Sequence, residues 1–504
     1  MSLARVYTRA QLGIDAPPVI VEVHLSSGLP SLSLVGLPET AVKESKDRVR
    51  SALMNAQFEF PAKRITINLS PADLPKEGGR YDLAIALGIL AASGQIPATA
   101  LDGHEFIGEL SLGGELQPVP GVLPCALQCA RADHVLVLPI ANAAEAALCS
   151  QGEFRSAANL LEVTAYLHGQ QTLTAVTAGT VRAIRAAELA DLSDVRGQPQ
   201  ARRALEIAAA GQHNLLFIGP PGTGKTMLAS RLPGILPPMS EEEALVSASI
   251  YSISSQPSQW QDQWRVRPFR APHHTASGVA LVGGGTSPKP GEISLAHGGV
   301  LFLDELPEFS RKVLDVLREP LESGRIVISR ANRSITYPAR FQLIAAMNPC
   351  PCGYFGDPSG RCHCTQEQIR RYQGQTSGPL LDRIDLHVEV PPIPTALLQQ
   401  APPGESSAVV QQRVMAAQAI QQQRQDCANA GLSASLRERV CALSEEDQHW
   451  LLMAIERLQL SARGYHRLLN IARTIADLDA QPTIGRAHLL EALGYRTLDR
   501  YRQG

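Results

Sequence analysis

Over the first 175 residues, short runs of aliphatic and β-branched residues alternate with longer runs whose apolar positions recur at helical spacing. Residues 20–25, 65–69 and 134–139 read as strands. Between them, 39–56 carries Val42, Val49 and Leu53 on one helical face, and 83–92 is apolar all round, as a buried helix is. The alternation predicts an α/β domain over 1–175. Small and polar residues at 172–180 predict a linker, followed by a helical run at 182–189.

A second α/β pattern occupies 190–395, with strands predicted at 214–218, 299–303 and 341–346. Pro391, Pro392 and Pro394 mark its end, because proline continues neither a helix nor a central strand. From 405 to 504 the chain is rich in Ala, Gln, Leu and Arg, which favour helix, and a helical lid is predicted there. Three domains suit a chain of 504 residues, given roughly 100–200 residues per domain.

Composition excludes several classes. With 44% apolar residues the chain can build sizeable cores, so disorder is not expected. A formal charge of −2 supplies no overall basic field, so any nucleic-acid contact must be local. No run approaches the ~20 apolar residues that span a bilayer, and the N-terminus lacks the apolar stretch of a secretory signal. A cytoplasmic protein that engages no membrane is expected.

The most specific pattern is Gly-Pro-Pro-Gly-Thr-Gly-Lys-Thr at 219–226, which follows an apolar strand and opens a helical run. Such a loop turns successive backbone N–H groups toward phosphate, and the helix start adds its positive end. The nucleotide-binding stretch is Gly219, Pro220, Pro221, Gly222, Thr223, Gly224, Lys225, Thr226 and Met227. Lys225 is assigned to the β- and γ-phosphates of ATP and Thr226 to Mg2+. The apolar run ending in Asp304 and Glu305 supplies the acids: Asp304 to help hold Mg2+, Glu305 to polarise the attacking water. A third apolar strand ends in Asn348, placed to contact the γ-phosphate or its water.

This set, with a helical region downstream, resembles an AAA+ ATPase. Arg-Ala-Pro-His-His at 270–274, the glycines at 283–285, the segment 290–305 and Asn-Pro-Cys-Pro-Cys-Gly at 348–353 narrow the match. They resemble the bacterial ComM (YifB) family of magnesium-chelatase-like AAA+ ATPases, and the resemblance spans essentially the whole chain. It implies an α/β fold: an AAA+ P-loop core with a C-terminal helical lid, preceded by a Lon-protease-like (ribosomal S5 domain 2-like) α/β domain. It also implies a homohexameric ring with ATP between subunits. Arg383 then matches the finger that reaches a neighbour's γ-phosphate, and Arg463 the lid arginine called sensor 2, with Arg467 as its rival. Read without the resemblance, each could equally form a surface ion pair. In the Lon-like segment, the position of the family's serine nucleophile falls on Arg80 and that of its lysine base near Leu123, which predicts a scaffold without proteolysis.

Cys350, Cys352, Cys362 and Cys364 present four of the nine cysteines as two C-x-C pairs nine residues apart. Four thiolates suit tetrahedral Zn2+ as a structural staple, with His363 able to replace one ligand; free or redox-active thiols are the other reading.

Two segments are basic with no acid of their own: 264–291, with Arg270 among its four basic residues, and 323–356, with Arg325, Arg330, Arg333 and Arg340. The second reads as a hairpin with Arg330 and Arg333 at its tip. In the resembled family such inserts project toward the ring pore, where six copies would grip a phosphate backbone without reading bases. The leading expectation is therefore an ATP-hydrolysing hexameric motor on single-stranded or branched DNA, a helicase promoting branch migration in recombination and natural transformation. The alternative is a chelatase-like or chaperone-like motor that remodels a polypeptide.

Overall fold

The computed structural model describes residues 3–36, 40–177, 190–254, 264–285, 288–330, 333–357, 360–394, 402–458 and 460–496, with backbone alone at positions 40, 41, 43, 330 and 333. The predicted helical run at 182–189 lies outside the described residues. The chain forms two compact units, one of residues 1–183 with Leu245–Trp264, the other of 184–244 with 265–504.

The N-terminal unit is built on an eight-stranded mixed sheet. Its long central strands, Leu3–Arg9, Pro18–Ser26 and Arg64–Ser70, alternate buried and exposed positions and pair antiparallel. One face is therefore apolar, and the helix Asp82–Ser93 packs on it with Leu83 through Ala92 buried. Gly88 permits that approach, since a Cβ there would lie 2.5 Å from Val23 Cγ2. Val135–Pro139, Glu153–Ala157 and Ser31–Val35 extend the sheet by parallel pairing. The predicted linker at 172–180 contains a short edge strand, Thr174–Ala175, antiparallel to Glu153–Ala157.

Residues from the middle of the sequence join this unit. Ala248 enters its core beside Val122, Cys125 and Leu136. The carboxylate of Glu145 accepts from Ser252 Oγ and, at 2.9 Å, from the backbone N–H of Leu123.

The second unit carries a five-stranded parallel sheet in the order Phe269–Arg270, Val300–Leu303, Gln342–Met347, Leu215–Ile218, Leu386–Glu389. The three middle strands are buried throughout, as parallel strands covered on both faces are. Helices Pro199–Gly211 and Lys225–Ile235 pack with Ser407–Gln425 and Ala462–Leu478, so the helical region after 405 shares one core with the sheet. Parallel strands align their carboxyl ends, and the loops after Ile218, Leu303 and Met347 therefore meet at one edge, where ligands bind such sheets.

Beside this sheet, Arg325–Arg330 and Arg333–Pro338 form an antiparallel hairpin in which Arg330 pairs with Arg333. Ile326, Ile328, Ile335 and Tyr337 bury one of its faces, while Arg325, Val327, Ser334 and Thr336 face outward.

Candidate functional site

The strand Leu215–Ile218 delivers the chain to a glycine loop in which Gly222 and Gly224 have φ of 78° and 87°. A Cβ at either would meet nothing within 4 Å, so backbone conformation rather than space requires glycine there. The helix Lys225–Ile235 begins at once, capped by Gly224, and aims its N-terminal amide groups back across the loop.

Lys225 is buried and donates from Nζ to the carbonyls of Gly219 (2.7 Å) and Pro220 (2.9 Å) and to Asn348 Oδ1 (3.1 Å). Burial pulls its pKa below the usual lysine value, against the opposing pull of Asp304 and Glu305. Thr226 donates from Oγ1 to Asp304 Oδ2 at 2.6 Å. A hydroxyl and a carboxylate in direct contact at the mouth of a phosphate loop are the donor pair an octahedral Mg2+ takes together with nucleotide phosphates.

Glu305 follows with φ of 52°, a left-handed conformation uncommon outside glycine. Its N–H donates to Asp304 Oδ1 at 2.9 Å, and its own carboxylate lies 3.1 Å from His274 Nδ1. His273 and His274 lie close, with ring centroids 4.1 Å apart. Sequence reading did not single out His274 as a partner of Glu305. Only the fold brings them together: Phe269–Arg270 pairs with Val300–Leu301, which carries the residues just past each strand to the same place.

The remaining arginines are divided. Arg383 donates to Pro379 O at 2.7 Å and forms an ion pair with Glu322. Arg463 is exposed in the first turn of the helix Ala462–Leu478. Its rival Arg467 instead pairs with buried Asp385, whose other oxygen lies 3.5 Å from His213 Nδ1 and accepts the N–H of Asn214 at 3.0 Å. Burial alone would raise Asp385, but Arg467, His213 and that N–H outweigh it and hold its carboxyl far below the ordinary range.

The basic segment around Arg270 looks different folded. Arg270 makes a bidentate pair with Glu292 (2.6 and 2.7 Å), Arg265 pairs with Glu241 and Arg267 with Glu243. Three of the four basic residues in a stretch without acids of its own are thus paired with acids from outside it. Arg325 is exposed on the hairpin, and the side chains of Arg330 and Arg333 lie outside the described residues.

The four clustered cysteines converge as well: their sulfurs all lie within 4.8 Å of one another. Cys350 Sγ is 3.3 Å from Cys352 and 3.8 Å from Cys362, and Cys352 is 3.6 Å from Cys362. Zn–S bonds of about 2.3 Å give tetrahedral edges of about 3.8 Å, so the spacing fits one metal ion. The backbone N–H of Tyr354 first, then the neighbouring thiols, pull Cys352 down to about 6.

In the N-terminal unit, Arg80 is buried and donates to Gln11 Oε1 (2.8 Å), Pro120 O and Cys125 Sγ (3.6 Å). Leu123 is fully buried. Neither side chain is a nucleophile or a base.

Comparison with known proteins agrees with this architecture. The family description "Magnesium chelatase, subunit ChlI" matches residues 191–398, "Subunit ChlI of Mg-chelatase" matches 21–142, and "Magnesium chelatase, subunit ChlI C-terminal" matches 404–496. The competence protein ComM of Haemophilus influenzae is 54% identical over 100% of this chain and 99% of its own length. The chain belongs to the ComM (YifB) family of magnesium-chelatase-like AAA+ ATPases. YifB of Salmonella typhimurium is 55% identical over 99% of this chain and 98% of its own. The magnesium-chelatase 38 kDa subunit of Cereibacter sphaeroides is 26% identical over 38% of this chain and 56% of its own. ComM-family membership implies use of nucleotide and Mg2+, and proteins of this AAA+ group commonly oligomerise. Among the described residues no helix is long and apolar enough to cross a membrane.

Proposed function

We propose that this protein is a DNA motor: an AAA+ ring, a homohexamer, that hydrolyses Mg2+-ATP to drive single-stranded or branched DNA through its pore and so promote branch migration. The observation that supports the ATP-hydrolysing part of the reading is the convergence of Lys225, Thr226, Asp304 and Asn348 at one sheet edge. Lys225 and the loop amides hold the β- and γ-phosphates, Thr226 and Asp304 hold Mg2+, and Glu305 orients the water for in-line attack. Asn348 fixes Lys225 and senses the γ-phosphate; Arg383 of one subunit and Arg463 of the lid neutralise charge developing in the transition state. The hairpin Arg325–Arg330/Arg333–Pro338 presents Arg325, Arg330 and Arg333 to the backbone of DNA. Arg270, sequence-predicted as a DNA contact, is held by Glu292 and is left out of that role in this proposal. The printed name of the Haemophilus influenzae relative connects that protein with competence, which favours recombination intermediates and natural transformation as the setting here. The division of labour follows the sequence: 1–175 a non-proteolytic Lon-like scaffold, 190–395 the motor with a structural Zn2+ on Cys350, Cys352, Cys362 and Cys364, and 405–504 its lid, in the cytoplasm.

A second reading has its own support, because all three family descriptions name magnesium chelatase, and a chelatase-like motor would act on a polypeptide. ATPase assays with branched DNA or with unfolded casein separate the two. DNA should raise turnover and casein should not. In strand displacement from a synthetic Holliday junction, wild type is expected to separate the arms with ATP, while Lys225→Ala leaves them joined. Stimulation by casein alone would move the motor onto polypeptide.

A further inference from the structure

The cysteine cluster and the phosphate loop are mechanically joined at two points. Gly353, directly after Cys352, adopts φ of 85°, and a Cβ there would lie 2.6 Å from Pro221 Cδ in the phosphate loop. The cluster's turn is thus seated on the loop with no room for a larger residue. Asn348, which accepts from Lys225 Nζ, is separated from buried Cys350 by Pro349 alone. That short stretch is itself pinned, with Gln373 Nε2 donating to Pro349 O at 3.0 Å and the N–H of Gly353 to Cys350 O at 2.9 Å. Across the turn, Cys352 and Cys350 reach Cys362 through sulfur at 3.6 and 3.8 Å, and Arg361 pairs with Asp357 and lies over the Tyr354 ring. Bound by the four sulfurs, a metal ion would offset repulsion among the thiolates and hold the turn against Pro221.

We infer that metal binding by Cys350, Cys352, Cys362 and Cys364 and nucleotide binding at the phosphate loop are thermodynamically coupled through the Gly353–Pro221 contact and the Asn348–Lys225 hydrogen bond. The inference rests on the proposed zinc and nucleotide sites and adds that each raises the other's affinity. Coupling of this kind is reciprocal, so it can be read from either end.

The test uses the full-length protein. Metal is counted per chain by elemental analysis, and the concentration of a zinc-selective chelator that removes half of it is measured with and without saturating Mg2+-ADP. The expected result is one zinc per chain and a chelator midpoint about tenfold higher with nucleotide bound. From the other end, Cys362→Ser/Cys364→Ser should lose the metal and weaken binding of a fluorescent ADP analogue about tenfold. Zinc bound with a midpoint that nucleotide leaves unchanged overturns the coupling while the metal site stands. No zinc, even after reconstitution, overturns the metal site and the coupling with it. Failure of the zinc-loaded protein to bind ADP at all overturns the nucleotide reading instead.

Discussion

Asn348 Oδ1 accepts a hydrogen bond from Lys225 Nζ at 3.1 Å, linking the tip of the strand Gln342–Met347 to the phosphate loop after Leu215–Ile218. These strands are neighbours in the sheet, so the contact follows from topology. Removing the amide leaves a buried ammonium with carbonyl acceptors but without the group that aims it outward. Asn348→Ala is expected to lower ATP turnover about 10- to 100-fold while the nucleotide dissociation constant changes less than about tenfold. Steady-state kinetics and fluorescent-nucleotide titration separate the two effects.

Glu305 and Asp304 are adjacent but do different work. Asp304 accepts from Thr226, whereas Glu305 is turned by its left-handed backbone toward His274. Glu305→Gln keeps the shape and loses the charge proposed to polarise the water. Turnover should fall at least about 100-fold with nucleotide affinity nearly unchanged. A comparable loss of affinity would assign Glu305 to binding.

Arg467 and Asp385 join the lid helix to the start of the strand Leu386–Glu389. Because Asp385 is held far below the ordinary aspartate value of about 3.9, its ionised form contributes stability above about pH 4. That contribution is lost as pH falls through the lowered folded value, where the carboxyl takes up a proton. Arg467→Ala leaves a buried carboxylate without its cation and should cost about 3 kcal/mol at pH 7. In urea denaturation the gap between wild type and Asp385→Asn should narrow as pH falls below about 4. A gap independent of pH would mean the pair acts through packing.

What could be read from the residues alone was the local: the six strands predicted at 20–25, 65–69, 134–139, 214–218, 299–303 and 341–346 all form, as do the helices Thr40–Asn55 and Asp82–Ser93. Each carries its own periodicity or apolar run. Leu3–Arg9 and Leu386–Glu389 were not read because their alternation is short and mixed with charge, and partners distant in sequence hold them. The same distinction governs the site. The phosphate loop declares itself because its glycines and lysine are contiguous, whereas His274 beside Glu305, Asp385 beneath Arg467 and Pro221 under Gly353 are long-range relations that exist only after folding. Charge was least informative at Arg270, since Glu292 stands directly after the counted segment but its pairing with Arg270 is set by the fold.

That contrast between Arg270 and the hairpin gives the last test. Arg325 is exposed, and Arg330 pairs with Arg333 at the last described rung of the ladder, so the proposed DNA-facing element carries these three arginines in its sequence. A protein that neutralises phosphates releases counterions, and each contact contributes roughly one to the slope of log affinity against log salt. Arg330→Ala/Arg333→Ala should therefore weaken DNA binding, reduce that slope by about two per chain engaged, and keep basal ATPase while losing its stimulation by DNA. Arg270→Ala breaks a half-buried bidentate pair, so it should lower thermal stability and leave the slope intact. Fluorescence-anisotropy titrations of a branched oligonucleotide over a range of salt, run beside thermal melts, read both. A slope that falls with Arg270→Ala and not with the hairpin variant would exchange their roles and move the DNA path to the sheet edge near Glu292.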